Sequence, residues 1–103
     1  MEFVFEAELW RWEARTDAGW MFVSLPVEAS QEIQDLVGHR SARSFGAVRV
    51  EVGVGRTVWR TSVFPDATRG LYVLPVKRAV RQAEEWELGT MVTVRLRVLE
   101  PDA

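Results

Sequence analysis

Val48-Arg49-Val50-Glu51-Val52-Gly53-Val54 is the stretch that indicates the fold most clearly. Its four valines strictly alternate with other residues, which is the two-residue period of a β-strand with one buried face. Gly55-Arg56 follows and permits a tight hairpin into a second strand, Thr57 to Phe64, which is rich in β-branched and aromatic residues. The middle of the chain therefore predicts an antiparallel β-hairpin.

Four further segments outside this hairpin have the pattern of strands. They are Glu2 to Leu9, Trp20 to Leu25, Leu71 to Leu74 and Val92 to Val98. Proline has no N–H to donate to a ladder, so it is expected to end a strand. On this basis we expect strands to stop at Pro26, Pro65 and Pro75.

Two segments show the longer period of a helix. From Glu28 to Val37, one face carries the apolar residues and Gly38 supplies an end signal; these apolar residues are Ala29, Ile33, Leu36 and Val37. A second stripe closes near Gly89 and consists of Val76, Ala79, Val80 and Ala83. Helices of about ten residues are marginal in water by themselves, so both must pack against the sheet.

The predicted elements run strand, strand, helix, strand, and then the same order repeats. Leu9-Trp10-Arg11 echoes Val58-Trp59-Arg60, and Leu25-Pro26-Val27 recurs as Leu74-Pro75-Val76 in the same register. Coincidence among common residues is the alternative to an internal duplication. A duplicated unit would bury its apolar face by wrapping around its copy. We therefore predict one β-barrel domain over residues 1–103, with repeats at about 2–54 and 57–99, pseudo-twofold symmetry and about six to eight strands capped by the two short helices.

Three motifs in the second part of the chain follow one another in order. They are Phe45-Gly46-Ala47-Val48-Arg49-Val50, Trp59-Arg60-Thr61-Ser62-Val63-Phe64-Pro65 and Tyr72-Val73-Leu74-Pro75-Val76-Lys77-Arg78-Ala79-Val80-Arg81. Together they resemble a bacterial and archaeal family of small barrel domains known only as a domain of unknown function. Some members are fused to a domain associated with bacteriocin resistance.

This resemblance extends from about Trp20 to Leu99. It implies a double-split β-barrel, the architecture of AbrB-type and MazE-type transcription regulators, with an internal duplication in one chain. The run Gly89-Thr90-Met91-Val92 is also similar to the regulator pattern of Gly-Asp before a strand, except that Thr90 replaces the usual aspartate. The resemblance implies no reaction, cofactor or catalytic residue.

Composition narrows the classes of function. The 103 residues are 48% hydrophobic and 27% charged, include no cysteine and carry a formal net charge of −2. A chain without cysteine has no disulfide, thiolate metal site or cysteine nucleophile, which suits a cytoplasmic protein. We expect no export signal and no membrane span. His39 is the one histidine, so we expect no histidine-rich metal site within one chain and no cofactor.

The charges are segregated along the chain. Residues 1–39 hold eight acids and two bases, residues 40–83 hold nine bases and two acids, and residues 84–103 hold two bases and five acids. The basic middle is either a surface for anions or the set of cross-strand partners for the acids, which include Glu2, Glu6, Glu8 and Glu28. Both readings remain open at this point.

The second helix has its charges reversed relative to the helix dipole. Lys77 and Arg78 lie in its predicted first turn, and its end is acidic through Glu84, Glu85 and Glu87. An anion at the start of the helix, held by Lys77 and Arg81, would offset this arrangement. The alternative is that Arg81 pairs with Glu85 four residues later.

Aromatic residues suggest a second kind of site. The five tryptophans either fill the core or contribute to a ligand slot at the barrel mouth. For such a slot we predict Trp59, Tyr72 and Arg81, with Ser62, Lys77 and Arg43 as further candidate ligand-binding residues.

Three classes of function follow from these patterns. For an enzyme, the sequence offers no nucleophile paired with a base, no set of metal ligands and no phosphate-binding loop. The enzyme alternative is therefore a barrel that catalyses only by shaping its substrate. DNA binding has support from the regulator-like architecture, but the isoelectric point near 5.4 and the absence of a dense basic arm disfavour it. We therefore predict a non-catalytic module that binds a small anionic ligand or an acidic protein, as a monomer or homodimer.

Overall fold

The computed structural model describes residues 1–11, 21–37 and 46–99. Within these ranges the chain forms seven strands and two helices. In chain order they are β1 (Glu2–Glu8), β2 (Trp10–Arg11), β3 (Met21–Ser24), α1 (Val27–Val37), β4 (Val48–Val54), β5 (Thr57–Asp66), β6 (Leu71–Val76), α2 (Arg78–Glu84) and β7 (Met91–Val98). The predicted hairpin at Gly55-Arg56 is confirmed, because Val54 pairs with Thr57 across it.

The seven strands form one antiparallel sheet in the order β1-β7-β4-β5-β6-β3-β2. The sheet curls into a half-barrel, so that β1 and β2, which follow each other in the chain, lie at its two edges. Leu9 joins these two strands; its N–H donates to the Thr90 carbonyl at 2.9 Å, and its carbonyl accepts from the Gly89 N–H at 2.8 Å. The predicted mainly β architecture with two short helices is confirmed.

The concave side of the sheet holds the core. The strict alternation of β4 and β7 sends four residues of each strand inward, and these residues are Val48, Val50, Val52, Val54, Val92, Val94, Leu96 and Val98. Leu9, Leu25, Ile33 and Leu74 belong to the same core and are fully buried. Burial of this apolar surface is the main term that stabilises the fold.

Helix α1 packs on β6 much as its sequence pattern predicts. Ala29 and Ile33 are buried, and Leu36 and Val37 pack partly against the core. The hydroxyl of Ser30, which is also buried, accepts a hydrogen bond from the Tyr72 N–H at 3.0 Å. This bond ties the first turn of α1 to β6.

Helix α2 is shorter than predicted. It ends at Glu84, because Glu85 adopts the left-handed conformation (φ 57°) and its N–H bonds back to Gln82. Val76 belongs to β6, Ala79 and Ala83 are exposed, and only Val80 of the predicted stripe is buried within the helix. The prediction of a four-residue apolar stripe ending near Gly89 was therefore wrong.

Pro65 and Pro75 lie inside strands instead of ending them, which corrects another prediction. Pro65 is opposite Tyr72 in β6, beyond Val63, the last residue of β5 that pairs with β4. Pro75 is opposite Phe22 in β3, beyond the residues of β6 that pair with β5. Each proline thus lies where its strand has one neighbour in the sheet, so the missing N–H breaks no ladder bond.

Neither helix of the described ranges is long and apolar enough to cross a membrane.

Candidate functional site

The structure distributes the predicted ligand-binding residues over both sides of the sheet. Trp59 lies on the inner side of β5, opposite Val52, and packs against the core. Ser62 lies on the outer side, opposite the exposed Arg49. Arg43 lies outside the described residues.

Tyr72 and Arg81 contact different elements. The Tyr72 hydroxyl donates to Oε1 of Gln34 in α1 at 3.3 Å. Arg81 is half-buried in α2, and its Nη1 lies 3.2 Å from the sulfur of Met21 in β3. Lys77 is exposed at the N-terminal boundary of α2, where its side chain makes no capping hydrogen bond. The ligand slot built on these residues stays a prediction.

Trp10 lies in the edge strand β2, outside the buried core, and is held by its neighbours. Its ring stacks on Phe22 with centroids 5.1 Å apart, and its indole N–H donates to the Ser24 hydroxyl at 3.0 Å. The guanidinium of Arg69 lies over the same ring, 4.1 Å from its centroid. These contacts give Trp10 a structural role.

A groove crosses the outer face of β1, β7, β4 and β5. We call it the arginine groove; it has a volume of about 340 Å³ and is lined by Glu2, Glu51, Gly53, Val58, Arg95, Leu96 and Arg97. Strand pairing builds it from two rows. One row is Glu2, Arg97, Glu51 and Arg60, and the next is Val4, Arg95, Gly53 and Val58.

The first row alternates in charge and is self-neutralising. One oxygen of Glu51 accepts from Arg97 at 3.1 Å and from Arg60 at 3.4 Å. All three side chains have substantial exposure, so these ion pairs contribute little to stability but hold the arginines in place. In the described sheet β1 pairs with β7, so Glu2 is opposite Arg97 and Glu6 is opposite Thr93, and neither of these partners belongs to the basic middle of the sequence.

In the second row, Arg95 lies flat across β4. A Cβ atom at Gly53 would come within 2.8 Å of its Nη2, so the arginine occupies the space that a side chain at this position would fill. Nη2 donates to the neutral carbonyl oxygen of Gly55 at 3.2 Å. Val4 and Val58, which are 71% and 60% exposed, flank the arginine. A guanidinium bound to a neutral acceptor between two exposed apolar side chains can recognise a carboxylate next to an aliphatic group.

A second concavity, the α1 cleft, lies between α1 and the β5–β6 hairpin. It has a volume of about 260 Å³ and is lined by Ser30, Gln31, Gln34, Pro65, Asp66, Ala67, Gly70, Leu71 and Tyr72. Asp66 fixes the hairpin, since its carboxylate accepts from the Thr68 N–H at 3.1 Å and from Nη1 of Arg69 at 2.7 Å. Burial raises the pKa of the Tyr72 hydroxyl above its ordinary value of 10.0, so this group remains a neutral hydrogen-bond donor at physiological pH.

The raised pKa of Tyr72 predicts a specific alkaline behaviour. The folded chain holds the hydroxyl proton more tightly than the unfolded chain, so the stability linked to it is present below pH 10.0 and is lost as the pH rises through the folded pKa. Tyr72 is the one tyrosine in the sequence, so tyrosinate absorbance reports it alone. We expect its titration midpoint to lie above 10.0 in buffer and to fall to the ordinary value in denaturant. Equal midpoints in both solutions would show that the hydroxyl is not buried.

Both concavities include residues that the sequence analysis missed. Gly53 in an otherwise alternating strand was the available signal for the arginine groove, because glycine inside a strand often marks a close approach. Nothing in the spacing of Gln31 and Gln34 distinguished them from ordinary exposed helix residues. Among residues 1–11, 21–37 and 46–99, no group of three or more histidine, cysteine, aspartate or glutamate side chains is placed to hold a metal ion.

Comparison with known proteins agrees with the sequence motifs. No curated protein matches the chain. A family model described as a domain of unknown function, DUF1905, matches residues 5–96, which include every strand from β2 to β6 and most of β1 and β7. The chain therefore belongs to the DUF1905 family.

Proposed function

We propose that this domain is a non-catalytic binding module and that the arginine groove recognises an acidic protein segment. The observation that carries the proposal is the position of Arg95, which lies over Gly53 between two exposed valines and donates to a neutral backbone oxygen. In the adjacent row Glu51 pairs with Arg97 and Arg60, so Arg95 is the guanidinium of the groove whose bond is to a neutral acceptor. The preferred partner carries a carboxylate for Arg95 with aliphatic side chains on both sides for Val4 and Val58.

The test uses a blocked Leu-Glu-Leu tripeptide as the probe, titrated into the protein and followed by the backbone amide signals of Gly53 and Gly55. The blocked Leu-Gln-Leu peptide is the matched probe without charge. We expect Arg95→Gln to weaken binding of the acidic peptide about tenfold, which corresponds to about 1.4 kcal/mol. Gly53→Ala should weaken it similarly, because the new methyl group displaces Arg95 without removing its charge.

Lys77→Gln is the control, since it removes one positive charge from an exposed position outside the groove. Its affinity for the acidic peptide should equal that of the unchanged protein. If Lys77→Gln or Arg81→Gln abolishes binding while Arg95→Gln leaves it intact, the anion site lies at α2, as the sequence pattern suggested, and the groove proposal is wrong. Equal binding of the two peptides would also contradict it.

We further propose that the half-barrel belongs to a double-split β-barrel made of two copies of one unit. The strand pairing supports this, because exchanging the two halves reproduces it. Val52 of β4 pairs with Leu96 of β7, and the exchange maps these two residues onto each other. On the other side of each strand, Val52 pairs with Trp59 and Leu96 pairs with Phe3. In the other part of the sheet, Ser24 of β3 pairs with Val73 of β6, and the exchange maps these two residues onto each other.

The same exchange selects between the two sequence matches. It superposes Leu25-Pro26-Val27 on Leu74-Pro75-Val76, as the repeat predicts. It does not superpose Trp10 on Trp59. The pair of Trp10 with Phe22 corresponds instead to the pair of Asp66 with Leu71, so the counterpart of Trp10 is Asp66. The counterpart of Trp59 is Phe3, so the match of the two tryptophans is not part of the repeat.

A further inference from the structure

The α1 cleft differs chemically from the arginine groove. Its charged lining residue is Asp66, whose side chain is 3% exposed and forms an ion pair with Arg69 at 2.7 Å. The Tyr72 hydroxyl is neutral at physiological pH, and burial raises its pKa further above the ordinary value of 10.0. Among the residues that the structure describes, the lining therefore offers no uncompensated charge, and a charged ligand would lose hydration there without gaining an ion pair.

The polar groups of the cleft present an ordered amide edge. Because the Tyr72 hydroxyl donates to Oε1 of Gln34, the carboxamide of Gln34 is oriented and keeps the two N–H bonds of Nε2 for another acceptor. Gln31 lies three residues earlier in α1, on the same face of the helix, and lines the same cleft. The cleft thus combines two neighbouring side-chain amides.

The remaining surface of the cleft is apolar and open. Pro65 and Leu71 line it, and Gly70 adopts φ 71° with no atom within 4 Å of the position of a Cβ atom. An apolar surface with a few convergent polar groups is the usual composition of a small-molecule site. A volume of about 260 Å³ suits a ligand with the dimensions of one aromatic ring and its substituent.

We propose that the α1 cleft is a second binding site, which takes a neutral, planar small molecule with a carboxamide edge. The ligand carbonyl accepts from Nε2 of Gln34, the ligand amide donates to the carbonyl of Gln31, and its ring packs on Pro65 and Leu71. Tyr72 acts as a positioning residue, because its hydroxyl fixes the orientation of Gln34. The site is separate from the arginine groove and does not depend on the function proposed for it.

The test uses benzamide as the probe and benzoate as its charged analogue of the same shape. In a titration followed by backbone amide signals, we expect benzamide to shift Gly70, Leu71 and Gln34 with a dissociation constant in the millimolar range. Gln34→Met should weaken binding about fivefold, the effect of one lost hydrogen bond. Gln82→Met, the same change at an exposed position of α2, should have no effect.

Tyr72→Phe separates positioning from packing, since it keeps the ring and frees Gln34. We expect benzamide binding to this variant to weaken about threefold, with unchanged signals in the arginine groove. The proposal is overturned if benzamide leaves the signals of the cleft unshifted, if Gln34→Met binds it as tightly as the unchanged protein, or if benzoate shifts the cleft as strongly as benzamide. Any shift of the Gly53 and Gly55 amide signals by benzoate bears on the arginine groove and not on the proposal for the α1 cleft.

Discussion

Leu9→Ala is expected to lower the free energy of unfolding by about 2–5 kcal/mol, because it removes a fully buried side chain and leaves a cavity. Leu9 lies between β1 and β2, where the chain passes from one edge of the sheet to the other. Small domains have a total stability of about 5–15 kcal/mol, so this one substitution takes a large share. Urea unfolding followed by tryptophan fluorescence measures the effect.

Val4→Ala is the matched control for Leu9→Ala, because Val4 lies in β1 but is 71% exposed. Its free energy of unfolding should remain within about 0.5 kcal/mol of that of the unchanged protein. If Leu9→Ala costs no more than Val4→Ala, the junction of β1 and β2 is not packed as described.

Strands were predictable because their signal is local. The alternation of four valines gave the bounds of β4 correctly, and the residues of β7 alternate in the same way. The prolines were misread, because the cost of a missing N–H depends on how many neighbours a strand has at that residue. Pro65 and Pro75 lie where β5 and β6 each pair on one side. That is a property of the sheet order, which no single segment contains.

The prediction for helix α2 failed for a different reason. Its apolar residues matched a helical period, but Val76 continues β6 and Ala79 is exposed. Besides the buried side chain of Val80, a polar contact holds α2, in which the Thr57 hydroxyl donates to Oε2 of Glu84 at 2.7 Å. Glu84 was interpreted only as an unfavourable charge at a helix end, since its partner is distant in sequence.

The candidate sites were less predictable than the fold, because each one joins distant parts of the chain. In the arginine groove, Glu2 and Glu51 precede the Gly55-Arg56 turn, whereas Val58, Arg95 and Arg97 follow it. In the α1 cleft, Gln34 comes from the first half and Tyr72 from the second. The prediction that arginines interact with anions could be made from charge alone, but which arginines share a surface depends on strand register.

Both sites therefore depend on the way the two halves interleave. Of the six neighbouring strand pairs in the described sheet, four join a strand before the Gly55-Arg56 turn to one after it. The first half alone retains the pairing of β2 with β3, which spans Trp10 and Arg11 on the shorter strand, and the second half alone retains that of β5 with β6. A two-stranded pair is marginally stable at best in water.

Separating the two halves tests this arrangement most directly. Residues 1–55 and 56–103 would be produced as two chains, cut at the exposed turn of the central hairpin, and followed by amide NMR spectra alone and as an equimolar mixture. We expect each chain alone to give the narrow spectrum of an unfolded chain, and the mixture to recover the dispersed signals of the intact protein. A dispersed spectrum and cooperative unfolding from either half alone would contradict the interleaved sheet.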